Sequence, residues 1–165
     1  MTSDSNILFY DPSESSIGIW SMGGGEPIAK IQVDKVPIRI YSTPLNKRYF
    51  IAYEDGTIEV RGTVNFAEVK FEIENCDYVI DMISDDKTFL VVSSATSIDE
   101  KEGKVTYIDF SKIDDEDDDY QSDEYGEEDS NQDEKKLIRA DLSLPGNAKV
   151  TSFKMSSDCI TLIGF

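Results

Sequence analysis

The sequence predicts an all-β fold, and three observations carry that prediction. Short runs of strand-type residues alternate with turn residues along most of the chain, and no apolar pattern of helical period extends over about ten residues. A strand–turn–strand unit recurs, as NILFYDPSESSIGIWS (6–21), YFIAYEDGTIEVRG (49–62) and TFLVVSSATSIDEKEGKVTYIDF (88–110). The returning strands end on IGIWS, IEVRG and VTYID, which align so that Trp20, Arg61 and Ile108 fall on equivalent positions, 41 and 47 residues apart. A lone hairpin is marginal in water. A meander of four strands repeating at this interval stacks on its neighbours and buries both of its faces, which is the construction of a β-propeller blade. A β-sandwich also holds about eleven short strands; the spacing of 41 and 47 residues favours the propeller.

Each element follows in order. The first hairpin turns at Asp11-Pro12-Ser13, the second at Asp55-Gly56, and the third at a longer tip, 96–103, which accounts for the extra six residues of spacing. The strand before each hairpin repeats as PIRIYS (37–42), YVIDMIS (78–84) and KVTSFKM (149–155), and Ile38 and Val79 lie 41 residues apart. A fourth strand follows each hairpin: PIAKIQV (27–33), EVKFEI (68–73) and KKLIRADL (135–142). Blade one is therefore expected over 7–33 without its innermost strand, blade two complete over 36–73, and blade three complete over 78–142 with an insertion between its third and fourth strands. Blade four begins at Lys149 and has two strands. The expectation is a single incomplete propeller domain over 1–165, with two complete four-stranded blades and two partial ones. Phe165 falls in mid-strand and reads as a cut, so a fragment, a truncated product or a piece completed by a partner is expected.

The formal net charge is −18, from 34 acidic and 16 basic residues. Thirteen of the acidic residues lie in 114–134, which contains no basic residue, so the remainder carries 21 acidic against 16 basic. That balance argues against direct nucleic-acid binding, which needs lysines and arginines to displace counterions from phosphates. It favours basic protein partners. There is no histidine, which removes the commonest general base, the Ser-His-Asp triad and histidine-ligated metals; no enzyme activity and no cofactor is expected. Cys76 and Cys159 form no metal-type spacing and read as two buried free thiols. The start, MTSDSNILFYDP, lacks the pattern of a signal peptide, and runs such as FLVV are far too short to span a membrane. The expected location is cytoplasmic, with the nucleus as the alternative, and no membrane partner.

The acidic tract is the most conspicuous candidate site. Asp114, Asp115, Glu116, Asp117, Asp118, Asp119, Asp123, Glu124, Glu127, Glu128 and Asp129 are the candidate partner-binding residues. High like charge and few apolar residues predict a disordered, solvated loop; its functional reading is a lure for basic proteins such as ribosomal proteins or histones. No register of the tract gives the calcium-loop pattern. Ser122, followed by Asp123-Glu124, is a candidate acid-directed phosphorylation site. Gly23-Gly24-Gly25 lacks a following Gly-Lys-Ser/Thr and reads as a flexible link. Trp20 is either a core residue of blade one or an exposed hot spot. Arg61 either pairs with a carboxylate on an inter-blade face or points to solvent, and Lys47-Arg48 are expected to be solvated in a turn.

The repeat resembles WD-repeat proteins. The usual Gly-His pair is absent, and the terminal Trp-Asp position holds Trp20-Ser21, Arg61-Gly62 and Ile108-Asp109, so the side-chain network of a typical blade is not available. Within that superfamily the chain resembles the first half of the i subunit of eukaryotic translation initiation factor three. Asp11-Pro12 and Trp20 stand where that family has a Lys-Asp-Pro turn and a strand ending in Val-Trp. The widened tip 96–103 followed by TYIDF (106–110), the insertion, and AKVTSFKMSSDCITLIGF match its third and fourth blades. The resemblance implies a non-catalytic interaction scaffold with other initiation-factor subunits as partners. The family's known helical partner docks on later blades, so no binding residue carries over. The alternative is a chaperone or escort for basic proteins that works through the acidic loop.

Overall fold

The structure is a computed structural model and describes residues 6–43, 48–62, 65–85, 88–95, 103–111, 137–144, 148, 150–155 and 162–164. Its strands form four antiparallel sheets in chain order. Sheet one is β1 (Asn6–Asp11), β2 (Ser16–Ser21) and β3 (Ala29–Gln32). Sheet two is β4 (Pro37–Ser42), β5 (Arg48–Tyr53), β6 (Ile58–Gly62) and β7 (Val69–Ile73). Sheet three is β8 (Tyr78–Ser84), β9 (Phe89–Ala95), β10 (Gly103–Asp109) and β11 (Ile138–Ser143), and sheet four is β12 (Phe153–Met155) with β13 (Leu162–Gly164). Each sheet is a simple meander. The chain is thus all-β and a partial β-propeller, with two four-stranded blades and two smaller ones.

The alternation of side chains sets the stacking. In β5 every residue is buried, because its two faces meet different sheets. Tyr49, Ile51 and Tyr53 join Ile17, Ile19 and Ile31 of sheet one, with Phe66 closing the cluster. Phe50 and Ala52 turn the other way with Ile58 and Val60, to meet Val79, Met82, Leu90, Val92, Ile108 and Phe110. Phe50 lies 6.2 Å from both Tyr41 and Phe110, ring centre to ring centre. Ile17 and Ile19 stand in sheet one as Ile58 and Val60 stand in sheet two, 41 residues later.

The links between sheets confirm the equivalence of strands. Val33 N–H donates to Ser15 O at 2.9 Å, tying the exit of sheet one to its β1–β2 turn. Cys76 N–H donates to Gly56 O at 2.9 Å, tying the exit of sheet two to its β5–β6 turn. By this match β1 corresponds to β5, so among the described residues sheet one has no counterpart of the first strands β4 and β8, as the spacing predicts. Residues 112–136, which lie between β10 and β11 in the sequence and hold the acidic tract, are outside the described residues.

Gly56 makes the second link possible. Its φ is +81°, and a Cβ there would stand 3.0 Å from Asp77 N and 3.4 Å from Cys76 N. Only glycine takes this conformation without strain. Gly56→Ala is expected to lower stability by about 1–3 kcal/mol, read as a shift in the urea midpoint at constant slope; an unchanged midpoint would show that the link yields freely.

Candidate functional site

The predicted partner-binding residues Asp114, Asp115, Glu116, Asp117, Asp118, Asp119, Asp123, Glu124, Glu127, Glu128 and Asp129 lie outside the described residues, as does Ser122. The strands on either side are well tied. Asp109 accepts from the Ser111 amide at 2.9 Å and from its hydroxyl at 2.6 Å. On the far side Leu137 packs against the core. Arg139 donates to Glu74 O at 2.9 Å and Asn75 O at 2.6 Å, clamping the link between sheets two and three. Asn75 and Asp77 in that link hold positive φ, of 59° and 54°. Asp141 accepts from Thr106 Oγ1 at 2.7 Å and pairs with Arg139 at 3.1 Å, and these bonds hold its carboxyl below the ordinary carboxylate range against the opposing effect of burial.

A second candidate is the outer face of sheet one, the face turned away from sheet two. Register places Ile7 opposite Trp20, Phe9 opposite Gly18, and Lys30 opposite Gly18 from the other side. Trp20 meets Phe9 edge to face, 5.5 Å between ring centres and 84° between planes. The indole also lies over Gly18, where a Cβ would come within 2.3 Å of the ring. Ile7 is 50 % exposed, Phe9 47 % and Ile28 61 %. Trp20 is half-buried rather than a core residue. The rim is polar: Lys30 pairs with Glu14, and Asp11 accepts from the Ser13 amide and hydroxyl, which together hold the Asp11 carboxyl below its usual range. Contiguous apolar surface with an aromatic centre and a charged rim is the composition of a protein-binding patch.

The other sequence candidates are structural. Arg61 is buried at 6 % exposure. It pairs with Glu59 Oε2 at 2.8 Å and donates to Phe66 O at 2.9 Å and Ala67 O at 2.8 Å. Burial pushes the neighbouring Tyr53 phenol upward, with Glu59 adding to the effect. The expectation of solvation fails for Arg48, which is 8 % exposed with its guanidinium 4.9 Å from the Phe110 ring centre; Lys47 lies outside the described residues. The ring supplies the cation with a partner that the turn sequence does not announce. Gly23-Gly24-Gly25 links β2 to β3, with φ of +83° at Gly24 and +103° at Gly25. Cys76 is fully buried and burial pushes its thiol up to about 11; Cys159 lies outside the described residues. Among the described residues no three histidine, cysteine or acidic side chains gather as for a metal, and no helix is long and apolar enough to cross a membrane.

No protein-family model matches the chain, and no curated protein matches it. Among solved structures it is similar to dihydro-heme d1 dehydrogenase NirN in complex with DHE, with a TM-score of 0.47 and 12 % identity. The match covers 99 % of this chain and 40 % of that one, so the chain spans well under half of its neighbour's length. So loose a likeness decides nothing about chemistry, and the reading of the fold rests on strand pairing and sheet stacking.

Proposed function

We propose that the chain is a non-catalytic scaffold for protein–protein contacts, of WD-repeat type, and most specifically a cytoplasmic subunit of the translation initiation machinery. The observation that supports the scaffold reading is the outer face of sheet one, where Ile7, Phe9 and Ile28 stand half or more exposed, or nearly so, around Trp20. Tryptophan is among the residues enriched at interface hot spots, which cluster near the centre of a contact surface. The WD-repeat reading rests on the spacing of Trp20, Arg61 and Ile108, and the initiation reading on Asp11-Pro12, Trp20 and the place of the insertion in blade three. The non-catalytic reading rests on the absence of histidine from the sequence.

A second reading, a chaperone or escort for ribosomal proteins or histones, is favoured by one observation, the thirteen acidic residues of 114–134. Contacts made through that charge weaken as salt screens them; contacts made through an apolar face do not. The two readings separate when the tagged chain is recovered from its own cells and washed at low and at high salt. The scaffold reading expects other initiation-factor subunits at both salt levels, and about tenfold less of them with Trp20→Ser. Ribosomal proteins or histones at low salt only, lost when 114–134 is deleted and indifferent to Trp20→Ser, would replace it with the second reading.

A further inference from the structure

Glu74, Asn75, Cys76 and Asp77 join β7 of sheet two to β8 of sheet three. Among the described residues only three other than glycine have a left-handed backbone, and two of them, Asn75 at φ 59° and Asp77 at 54°, are in this link. The equivalent link between sheets one and two, 33–36, has none. Asparagine and aspartate tolerate this conformation better than most residues, but it carries strain and persists only where the surroundings impose it. Here charge from the far side of the junction imposes it. Arg139 of β11 donates to the carbonyls of Glu74 and Asn75. Lys104 of β10 pairs with Asp77 at 2.7 Å. Asp141 lies 3.9 Å from Lys104 and 3.1 Å from Arg139, and so joins the two cations. Beneath these charges Cys76 has no exposed surface, and its amide is held by Gly56 O. The charged groups are not sealed off. Lys104 and Arg139 keep side-chain exposures of 25 % and 26 %, and Asp77 and Asp141 of 41 % and 43 %, so salt reaches and screens them.

We propose that the link 74–77 is a charge-latched switch: Arg139 and Lys104 hold it in a strained, closed conformation, and loss of that hold lets it relax and brings the Cys76 thiol to solvent. The opening is local. Phe50, Val60, Leu90 and Ile108 pack sheets two and three together without the link, and β7 and β8 remain in their own ladders. Segments held by a few partly exposed polar contacts open at a lower free energy than the whole domain. The proposal goes beyond the scaffold reading. It concerns the junction of sheets two and three rather than the outer face of sheet one, and its test uses no partner, so either can fail alone.

The reporter is alkylation of Cys76 by N-ethylmaleimide in the full chain, followed by peptide mass spectrometry so that Cys159 is read separately. Raising sodium chloride from about 0.02 to about 0.5 M is expected to speed the Cys76 reaction at least about twofold, because partly exposed pairs weaken on screening. Arg139→Met is expected to speed it by about tenfold or more at low salt, the scale of hydrogen bonds to a charged group, and to remove most of the salt dependence. Adding Asn75→Gly to Arg139→Met relieves one strained residue and is expected to slow the reaction severalfold; a merely structural role for Arg139 gives no such reversal. Hydrogen exchange at the amides of β9, an inner strand of sheet three, is expected to stay unchanged throughout. Four results would overturn the proposal: a Cys76 rate indifferent to salt in the native chain, a rate unchanged by Arg139→Met, a rate that Asn75→Gly fails to slow, or β9 exchange that rises in step with the Cys76 rate, which would mean that the thiol is reached by general unfolding.

Discussion

Truncating Phe50 to alanine removes a ring that bridges two sheets, and the expected loss is about 3–5 kcal/mol. The residue has no exposed surface. Its ring meets Tyr41 of its own sheet and Phe110 beyond sheet three at 6.2 Å each, and its neighbours are held by separate backbone ladders that cannot move in together to fill the space. A domain of ordinary stability, about 5–15 kcal/mol, keeps little after such a loss. Urea unfolding followed by tyrosine and tryptophan fluorescence reads it directly. A cost below about 1 kcal/mol would mean that sheets two and three are not stacked through this ring.

Arg61→Ala has an effect of similar size and a different cause. The guanidinium holds Glu59 Oε2 through two nitrogens, at 2.8 and 3.0 Å, and the carbonyls of Phe66 and Ala67 through a third. Both partners are largely out of water, with side-chain exposures of 8 % for Arg61 and 18 % for Glu59. Removing the cation leaves a largely buried carboxylate without its counter-ion and two carbonyls without the Arg61 donor, and breaking a buried pair from one side costs about 3–5 kcal/mol. The double replacement Arg61→Met with Glu59→Leu removes the orphaned charge as well and is expected to recover part of the loss. If the single and double variants unfold at the same urea concentration, the pair is not what holds the 65–67 turn.

The architecture was legible because the repeat is written twice in different residues. Trp20, Arg61 and Ile108 share no chemistry, yet each faces away from the following sheet at the same register, so the 41-residue interval marks the blades even where the usual Trp-Asp has been replaced. Two of the turns were legible for local reasons: Asp11 and Asp55 each accept the amide two residues on, a bond that aspartate makes in a turn whatever surrounds it, whereas 96–102 of the third lie outside the described residues. Burial of charge was legible only in the carboxylate pairing of Arg61. Arg48 follows a turn lysine and looks solvated, but the ring it meets arrives from Phe110, more than sixty residues later. Arg61 gave no sign of its two carbonyl partners, since backbone acceptors leave no trace in a sequence. The candidate surface was legible only in part. Alternation shows that sheet one has two apolar faces, but which of them a neighbour covers is decided by the order of stacking, and that leaves Ile7, Phe9 and Trp20 on the open side.

The most direct test of the scaffold reading is the affinity of the purified chain for the partner retained at high salt, measured by calorimetric titration with the native sequence, Trp20→Ser and Phe9→Ser. A hot-spot residue contributes at least about 2 kcal/mol, which is roughly a 30-fold loss of affinity. Such a loss in both variants, with unfolding midpoints close to that of the native chain, is the result expected if the outer face of sheet one is the contact surface. Unchanged affinity in both variants, with binding that instead falls away when 114–134 is deleted, would contradict it and place recognition in the acidic tract.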